Sequence, residues 1–315
     1  MKILPENKTK VQDLNFRLRL DIQFDREAKL AIPNIADFYQ STNGIRYEDK
    51  IDDKENGIDI DFEIQQTNGK EPSKANLTLW NITNDSFNQI ANYANAFELY
   101  CAEGNGDWGL IFRGTPYFSS QKKAIGGDNK SRGFLKKEDA VGGENDIATE
   151  IILIDSLHSF DSAVISKSYQ GTVSSQQIIH DCAAAMGIFM GDEVDNYPEM
   201  NNYVARGKVR TILREICGKI GCKYIIDNGV LHLFNGNKQK IYGFLFNGEN
   251  STKPQAEQNN NQIGYHFETK LLPSIRVGHY CKCEFDVLSG VKEIYKCIKR
   301  GNNYGTIGLT EVWVK

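Results

Sequence analysis

Three consecutive residues, His180, Asp181 and Cys182, belong to the residue types that form nucleophilic catalytic sites. In such a site a thiolate attacks the substrate, an imidazole transfers the proton and a carboxylate orients the imidazole. The three residues lie in a segment with helical periodicity, where successive side chains point about 100° apart. Residues adjacent in sequence therefore cannot form a triad by themselves, and Cys182 falls among the apolar positions of the helix.

Two carboxylates, Asp59 and Asp61, lie on one face of a predicted strand at residues 58–64. A pair of carboxylates is the catalytic apparatus of most glycoside hydrolases. Because the apolar residues of this strand lie on the opposite face, the alternation predicts a solvated acidic face that also includes Glu63. The sequence contains no HExxH, P-loop or GxSxG motif. We assign no catalytic residue and predict that the protein is not an enzyme.

Residues 104–109, Gly-Asn-Gly-Asp-Trp-Gly, match the G-x-G-x-x-G pattern of dinucleotide-binding loops. That pattern binds a pyrophosphate where the glycine loop opens a helix, because the amides of the first helical turn face the phosphates. In this chain the glycines lead into a stretch at 109–114 that is typical of a strand. The sequence therefore predicts a hairpin turn at 104–107 and no cofactor.

The chain contains seven cysteines, mostly in apolar and periodic segments: Cys101, Cys182, Cys217, Cys222, Cys281, Cys283 and Cys297. Zinc ligands would combine Cys281 and Cys283 with Cys297, or Cys217 with Cys222. The sequence has no C-x-x-C pair of the kind that zinc sites use. Cys281 and Cys283 alternate with charged residues, which predicts that both thiols face a core. We expect reduced, buried thiols of a protein made in a cytoplasm, and no metal site.

The formal net charge of −4 and a pI near 5.8 argue against a nucleic-acid-binding protein. One local cluster is basic: Lys122, Lys123, Lys130, Arg132, Lys136 and Lys137. A solvated loop accounts for this cluster, and so does a segment that orders against an acidic neighbouring subunit or faces a nucleic-acid conduit. Of the last two we favour the subunit contact, and we predict no specific nucleic-acid recognition. No segment approaches the roughly 18 apolar residues of a transmembrane helix, so that no membrane span is predicted.

Alternation of apolar and polar residues predicts strands in the first 165 residues, at 16–24, 58–64, 73–80 and 147–155. The third strand leads at once into a helix, for which Thr83, Asn84 and Asp85 supply cap residues. Trp80, on the polar strand face, is predicted to pack under this helix or at a subunit contact. Long loops are predicted at 25–57 and 119–146. These elements predict a β-barrel domain over residues 1–165.

The middle of the chain, residues 166–245, has helical periodicity. Ser174 and Gln177 form a capping pair before one apolar stripe, and a second stripe at 209–220 ends at Gly221. Asn228-Gly229 predicts a tight hairpin after the helices. An Asn-rich linker is predicted at 247–262, and four short strand patterns predict a second barrel over 246–315. The predicted fold class is α+β and mainly β, with two β-barrel domains and an inserted helix–helix–hairpin domain.

Three segments carry a resemblance to a known family: ANLTLWNIT at 75–83, LIFRG at 110–114 and LLPSIRVG at 271–278. In this order they resemble the motifs of phage and tailocin baseplate hub proteins, of the late control protein D type and the central hubs of myophages. The resemblance extends over residues 58–315. The chain departs from the family at Lys299, Arg300, Gly301 and Asn302, where a His-x-Gly-Asp motif is common, so that no role is carried over for that motif.

This resemblance implies a structural protein of a phage tail or of a related contractile particle. Such hubs are homotrimers in which each subunit contributes two barrels to a ring of pseudo-six-fold symmetry. The ring joins the hexameric tail tube to the trimeric central spike, and DNA passes through it. The implied partners are the tail tube initiator protein, the spike, other baseplate proteins and the tape measure protein. The implied location is the virion tail or tailocin, assembled in the bacterial host cytoplasm.

Two other classes of function stay open on the sequence alone. The first is a tail-associated cell-wall hydrolase that would use Cys182, His180 and Asp181. The second is a carbohydrate- or receptor-binding protein of the tail tip, in which Trp108 and Tyr117 would form an aromatic platform beside a loop.

Overall fold

The computed structural model describes residues 16–24, 44–48, 58–67, 72–103, 106–123, 147–155, 162–235, 241–259, 262–303 and 308–315. These residues form strands for the most part, with three helices, which confirms the predicted mainly-β fold class. None of the described helices is long and apolar enough to cross a membrane.

The elements of the first part of the chain are β1 (Phe16–Phe24), β2 (Gly44–Glu48), β3 (Ile60–Thr67), β4 (Lys74–Trp80), α1 (Asn84–Tyr93), β5 (Ala94–Glu103), β6 (Gly109–Lys123) and β7 (Ile147–Ile154). The middle part contains β8 (Val164–Ser168), β9 (Thr172–Ser174), α2 (Ser175–Met186), β10 (Phe189–Met190), β11 (Glu199–Asn201), β12 (Val204–Lys208), α3 (Val209–Ile220), β13 (Cys222–Asp227) and β14 (Val230–Asn235). The last part contains β15 (Ile241–Asn247), β16 (Gln255–Asn259), β17 (Gln262–Lys270), β18 (Tyr280–Phe285), β19 (Leu288–Asn302) and β20 (Gly308–Val314).

Thirteen strands form one sheet, in the order β16-β17-β20-β19-β3-β4-β7-β6-β5-β1-β2, with β18 on the first half of β19 and β15 beside β18. The sheet has two halves that repeat one pattern. In the first half β3-β4-β7-β6-β5 are neighbours, and in the second half β16-β17-β20-β19-β18 are neighbours. The two halves are joined where β3 pairs antiparallel with the second half of β19.

Apolar side chains form three separate cores. The first core contains Leu18, Phe62, Leu77, Phe97 and Ile151, from the first half of the sheet. The second core belongs to the middle part and includes the predicted stripes of α2 and α3. The third core lies in the second half of the sheet and includes Phe246, a residue of the unpredicted strand β15.

The abrupt change from strand to helix at Thr83 is confirmed. The Thr83 side chain accepts a hydrogen bond from the backbone N–H of Ser86 at 3.2 Å, which caps the start of α1. Phe87 and Ile90 pack against the first core, whereas Ala91 is exposed. The junction is therefore built by ordinary helix capping and contains no reactive group.

Both helices of the middle part match the predicted stripes. Ile178, Ile179, Cys182 and Met186 of α2 are buried, and α2 and α3 end at the left-handed residues Gly187 and Gly221. One detail of the capping box is wrong. Ser174 caps the N–H of Gln176, while the Gln177 side chain donates to Asp181.

Several predicted loops contain strands. The segment predicted as a linker at 247–262 includes β16, a polar strand paired with β17. The predicted loop at 25–57 includes β2, which pairs with β1, and the predicted loop at 119–146 begins within β6. Residues 25–43, 49–57 and 124–146 lie outside the described residues, as does most of the predicted basic cluster. β16 and the end of β6 have little apolar alternation, so that their pairing depends on neighbours elsewhere in the sheet.

The predicted solvated face of β3 is wrong. Asp61 and Glu63 are only 5% and 7% exposed, because β3 is an interior strand between β4 and β19. The Trp80 indole N–H donates to Asp61 Oδ2 at 2.7 Å. Glu63 Oε2 accepts from Arg300 Nε at 2.9 Å. Both carboxylates therefore have charged or polar partners on neighbouring strands, which compensates for their burial.

Replacing Trp80 by phenylalanine tests the first of these contacts. Trp80→Phe keeps most of the apolar ring but removes the donor to a buried carboxylate, so that we expect the free energy of unfolding to fall by about 1–3 kcal/mol in a urea titration. Trp313→Phe is the matched control, because the Trp313 indole donates to Glu257, an exposed carboxylate. Equal losses in the two variants would contradict the importance of the Trp80–Asp61 bond.

Candidate functional site at the junction of the three cores

The structure separates the three residues of the candidate nucleophilic site. His180 Nε2 lies 3.2 Å from Glu193 Oε1, and Asp181 Oδ2 accepts from Lys167 Nζ and Tyr169 OH, both at 2.6 Å. Cys182 is fully buried among apolar residues, and burial raises the pKa of its thiol to about 12. A thiol that stays protonated and inaccessible is not a nucleophile. The three side chains thus serve three different contacts of the middle part.

All seven cysteines are buried free thiols, as the sequence indicates. Cys281 Sγ and Cys283 Sγ are 3.9 Å apart and face the third core from one side of β18. Cys297 lies in the same core, but Cys217 and Cys222 belong to the second core. Among the described residues, no group of three or more His, Cys, Asp or Glu side chains is arranged to bind a metal ion.

Trp108 does not present an open aromatic platform. The guanidinium carbons of Arg17 and Arg19 lie 4.7 Å and 5.2 Å from the centre of its ring. Such stacking occupies the ring with cations of the protein itself. Tyr117, the second residue of the proposed platform, is 65% exposed. Lys122 and Lys123 end β6, whereas Lys130, Arg132, Lys136 and Lys137 lie outside the described residues.

The polar groups that the fold does bring together lie where the three cores meet. The loop at 271–279, which follows β17, contacts every part of the molecule. Leu271 belongs to the first core, while Ile275 and Val277 belong to the third. Pro273 packs so closely on the backbone of Gly109 that a Cβ there would lie 2.7 Å from Pro273 Cβ. The last glycine of the G-x-G-x-x-G match is therefore required by packing.

The same loop also contacts the middle part of the chain. Gly278 has a φ of +86°, and a Cβ at this residue would lie 3.0 Å from the Phe234 ring. A glycine suits this position because it tolerates the left-handed conformation and leaves room for the ring. The LLPSIRVG segment thus contacts the first core, the third core and the middle part of the chain.

The hairpin turn of the middle part docks on Asp155, at the end of β7. Asp155 is 1% exposed, and its two carboxylate oxygens accept from the backbone N–H groups of Asn228 at 2.6 Å and Gly229 at 3.1 Å. In return, Asn228 Oδ1 accepts from the Arg113 backbone N–H of β6 at 2.6 Å. Hydrogen bonds from backbone N–H groups to a charged acceptor are strong, so that this contact holds the turn against the first half of the sheet.

A chain of charged groups continues from the turn. Asp227 Oδ1 accepts from Gln66 Nε2 of β3 at 2.7 Å, and Asp227 Oδ2 pairs with Arg276 Nε at 2.8 Å. Arg276 Nη1 lies 3.4 Å from His232 Nε2, and His232 Nδ1 lies 3.0 Å from Asp192 Oδ2. The backbone N–H of Asp192 also donates to His232 Nδ1, at 3.2 Å. Burial and the adjacent guanidinium lower the pKa of His232.

Two further groups complete the junction. Lys299 is 1% exposed, and its Nζ donates to the Pro273 carbonyl at 2.9 Å. His279 is 4% exposed, and burial lowers its pKa to about 3, with a contribution from Arg276. The junction therefore combines the buried groups Asp155, Asp227, Lys299 and His279 with hydrogen bonds between distant segments. Such contacts can fix the relative orientation of these segments.

The crevice beside this network is small. It encloses about 10 Å³, with Gln66, Ser73, Ile225, Ile226, Asp227, Arg276 and Val277 as its walls. Ligand pockets of proteins usually measure about 300–1,000 Å³. The crevice therefore has no room for a ligand of ordinary size.

Sequence patterns did not identify the junction residues. Asp155, Asp227, Arg276 and His279 each stand alone in the sequence, and their partners are 40 to 160 residues away in most cases. One segment of the junction did stand out in the sequence. The LLPSIRVG segment was singled out by the family resemblance, and the structure places it at the centre of the junction.

Comparison with known proteins gives a likeness in fold. No family model matches the chain, and no curated protein matches it in sequence. The tail protein from Neisseria meningitidis MC58 superposes with a TM-score of 0.60 at 7% identity, over 95% of this chain and 96% of that one. The 43 kDa tail protein of prophage MuSo2 from Shewanella oneidensis gives 0.55 at 9% identity, over 82% and 97%.

A third structure comes from a secretion machine. An E. coli component of the type VI secretion system, described as structurally similar to the T4 bacteriophage tail proteins gp27 and gp5, gives a TM-score of 0.51 at 9% identity. The match covers 82% of this chain and 73% of that one. The chain therefore has the fold of phage tail and type VI secretion proteins, and the resemblance stated from its motifs is confirmed at the level of structure.

Replacing Asp155 by asparagine tests the docking of the hairpin turn. The amide is similar in size but has one acceptor oxygen in place of two and turns an N–H group toward a backbone donor. We expect Asp155→Asn to reduce the free energy of unfolding by about 2–3 kcal/mol and to speed hydrogen exchange of the Asn228 and Gly229 amides. Asp286→Asn, at an exposed turn, is the control, with an expected change within about 0.5 kcal/mol. Unchanged exchange at the turn would contradict this docking.

The buried histidine predicts a dependence on pH. His279 has a pKa of about 3 in the folded protein, below the ordinary value of 6.5. The unfolded chain therefore binds more protons between these values, so that stability is complete above pH 6.5 and declines as the pH falls toward 3. We expect a loss of roughly 2 kcal/mol between pH 6.5 and 4.5 from this residue. His279→Gln should flatten the profile measured by chemical denaturation, and a variant profile as steep as that of the wild type would contradict this assignment.

Proposed function

We propose that this protein is the structural hub subunit of a baseplate, in a phage tail or a related contractile particle. The observation that carries the proposal is the repeat within one sheet. Two five-stranded units with the same strand order are joined edge to edge within one chain. Three copies of such a chain supply six similar units, which suits a part located between a six-fold tube and a three-fold spike.

We propose three domains, two tube-type units and one inserted domain between them. Residues 1–165 form the first β-barrel domain, 166–245 the α/β insert and 246–315 the second β-barrel domain. The three cores support this division, with the qualification that β15 packs with the third core. The insert is held by its hairpin turn, so that its helices lie at the periphery, where they are available to other baseplate proteins.

The proposed partners are two further copies of the chain, the tail tube initiator protein on one side of the ring and the central spike on the other. Other baseplate proteins and the tape measure protein contact the same assembly. DNA passes through the ring without sequence recognition. The proposed location is the tail or tailocin particle, assembled in the host cytoplasm. The likeness to tail and type VI secretion proteins supports these assignments.

The proposed role is mechanical and not enzymatic. The candidate catalytic residues His180, Asp181 and Cys182 are used in separate structural contacts, and Cys182 is inaccessible. Several buried charged groups, Asp155, Asp227 and Lys299, meet at the junction, where they fix the orientation of the parts. Rigid relative placement of two sheet halves is what a ring-forming subunit requires.

Solution mass tests this proposal. Light scattering over a dilution series should give a particle near three times the chain mass of 35.6 kDa, and negative-stain images should show rings with six lobes. Asp286→Asn, the exposed control, should form the same rings. A monomer at every concentration, alone and with tube or spike protein added, would contradict the hub assignment.

A further inference from the structure

The two halves of the sheet can be aligned residue by residue through their hydrogen-bond register. Strands β6 and β19 are both 15 residues long, and each has a bulge at a tyrosine, Tyr117 in β6 and Tyr295 in β19. After the bulge, Gln121 pairs with Thr149 of β7, and Lys299 pairs with Thr310 of β20. Both threonines are followed by glutamate. The register therefore makes Gln121 the counterpart of Lys299.

The first strands of the two units align in the same way. Ile64 of β3 pairs with Ala75 of β4, and Ala256 of β16 pairs with Tyr265 of β17. Ala75 and Tyr265 in turn pair with Leu153 and Val314, four residues after the two matched threonines. Ala256 is therefore the counterpart of Ile64.

Within one chain, only one copy of the joint between units is formed in the described residues. Its central pair is Lys299 opposite Ile64, flanked by Ile298 opposite Gln65 and Arg300 opposite Glu63. The corresponding edges are β16 and the second half of β6. Each pairs with a described strand on one side only, β16 with β17 and residues 115–123 of β6 with β7.

We propose that β16 of one copy pairs antiparallel with the second half of β6 in a neighbouring copy, in the register of the β3–β19 joint. Ala256 then lies opposite Gln121, Glu257 opposite Ser120 and Gln255 opposite Lys122. This assignment rests on the proposed ring, because a contact between different edges of identical chains is heterologous and closes only around a rotation axis. It names the strands that form the subunit interface.

The chemistry of the two edges is compatible with this pairing. Gln255, Ala256 and Glu257 are all exposed, so that the main chain of β16 is open to a partner. The basic end of β6, at Lys122 and Lys123, would face a neutral Gln255 and then Pro254, and no like charges meet. Proline lacks a donor and ends a ladder, which sets one limit of the joint. Pairing also covers an edge strand that would otherwise be a site of uncontrolled association.

Paired cysteines test the register. In the double variant Gln121→Cys, Ala256→Cys, residues directly opposite across two antiparallel strands come within disulfide reach. The control is Gln121→Cys, Gln255→Cys, because a shift of one residue turns the side chain to the other face. Under mild oxidation we expect the first variant to form a covalent trimer at least about tenfold faster than the control on non-reducing gels. The wild-type protein, whose seven thiols are buried, should not crosslink.

Light scattering on the same samples separates the two proposals. A trimer in which the matched pair crosslinks faster supports both. A trimer in which the two pairs crosslink equally, or not at all, overturns the β16–β6 joint and leaves the hub assignment standing. A monomer without crosslinks at every concentration overturns the joint and contradicts the ring as well.

Hydrogen exchange of the wild-type protein provides a test without substitutions. The amides of β16 and of residues 118–123 should exchange several-fold more slowly in the trimer than in the diluted monomer, because a joint adds hydrogen bonds to both edges. Protection of neither segment in a stable trimer would overturn the joint.

Discussion

The antiparallel pairing of β3 with the second half of β19 is the interaction on which the other contacts depend. It joins residues that are 229 to 241 positions apart and turns two sheets into one. Because β3 becomes an interior strand, Asp61 and Glu63 lose solvent and require Trp80 and Arg300 as partners. The pairing also brings the loop at 271–279 against the first core, where Leu271 is buried.

The insert is positioned by directional bonds, not by a large apolar contact. Its own core is separate from the other two, and the polar groups of its hairpin turn meet Asp155, Gln66 and Arg276. Charge-assisted hydrogen bonds have a narrow range of geometry, so that such a network specifies orientation more than it adds stability. In the proposed ring, an insert at the periphery would need this property, because its partners would have to meet it at a fixed angle.

Local sequence patterns predicted the helices, strands and turns whose conformation depends on residues nearby in the sequence. The alternation of β4, the stripes of α2 and α3, and the Asn228-Gly229 turn each encode their own structure, and all were found. The acidic face of β3 was misread because its covering partner, Arg300, comes from a strand 237 residues away. β16, with the sequence QAEQN, has no apolar alternation, and its pairing with β17 decides its conformation. The junction could not be predicted, since it joins segments that lie far apart in the sequence: Gln66, Asp155, the turn at 227–229 and the loop at 271–279.

The β3 edge and the matching β16 edge carry different side chains. The difference follows from the stage at which each edge becomes paired with a neighbouring strand. The β3 edge meets its partner within the same chain, so that it can carry the carboxylate of Glu63 and the apolar Ile64 without exposing them to other molecules. At the matching positions β16 has Gln255 and Ala256, a neutral amide and a small side chain, both exposed. An edge that must remain soluble before it meets a second chain cannot be strongly apolar. On the proposed assembly, the divergence of the two halves reflects the difference between a joint made during folding and one made between subunits.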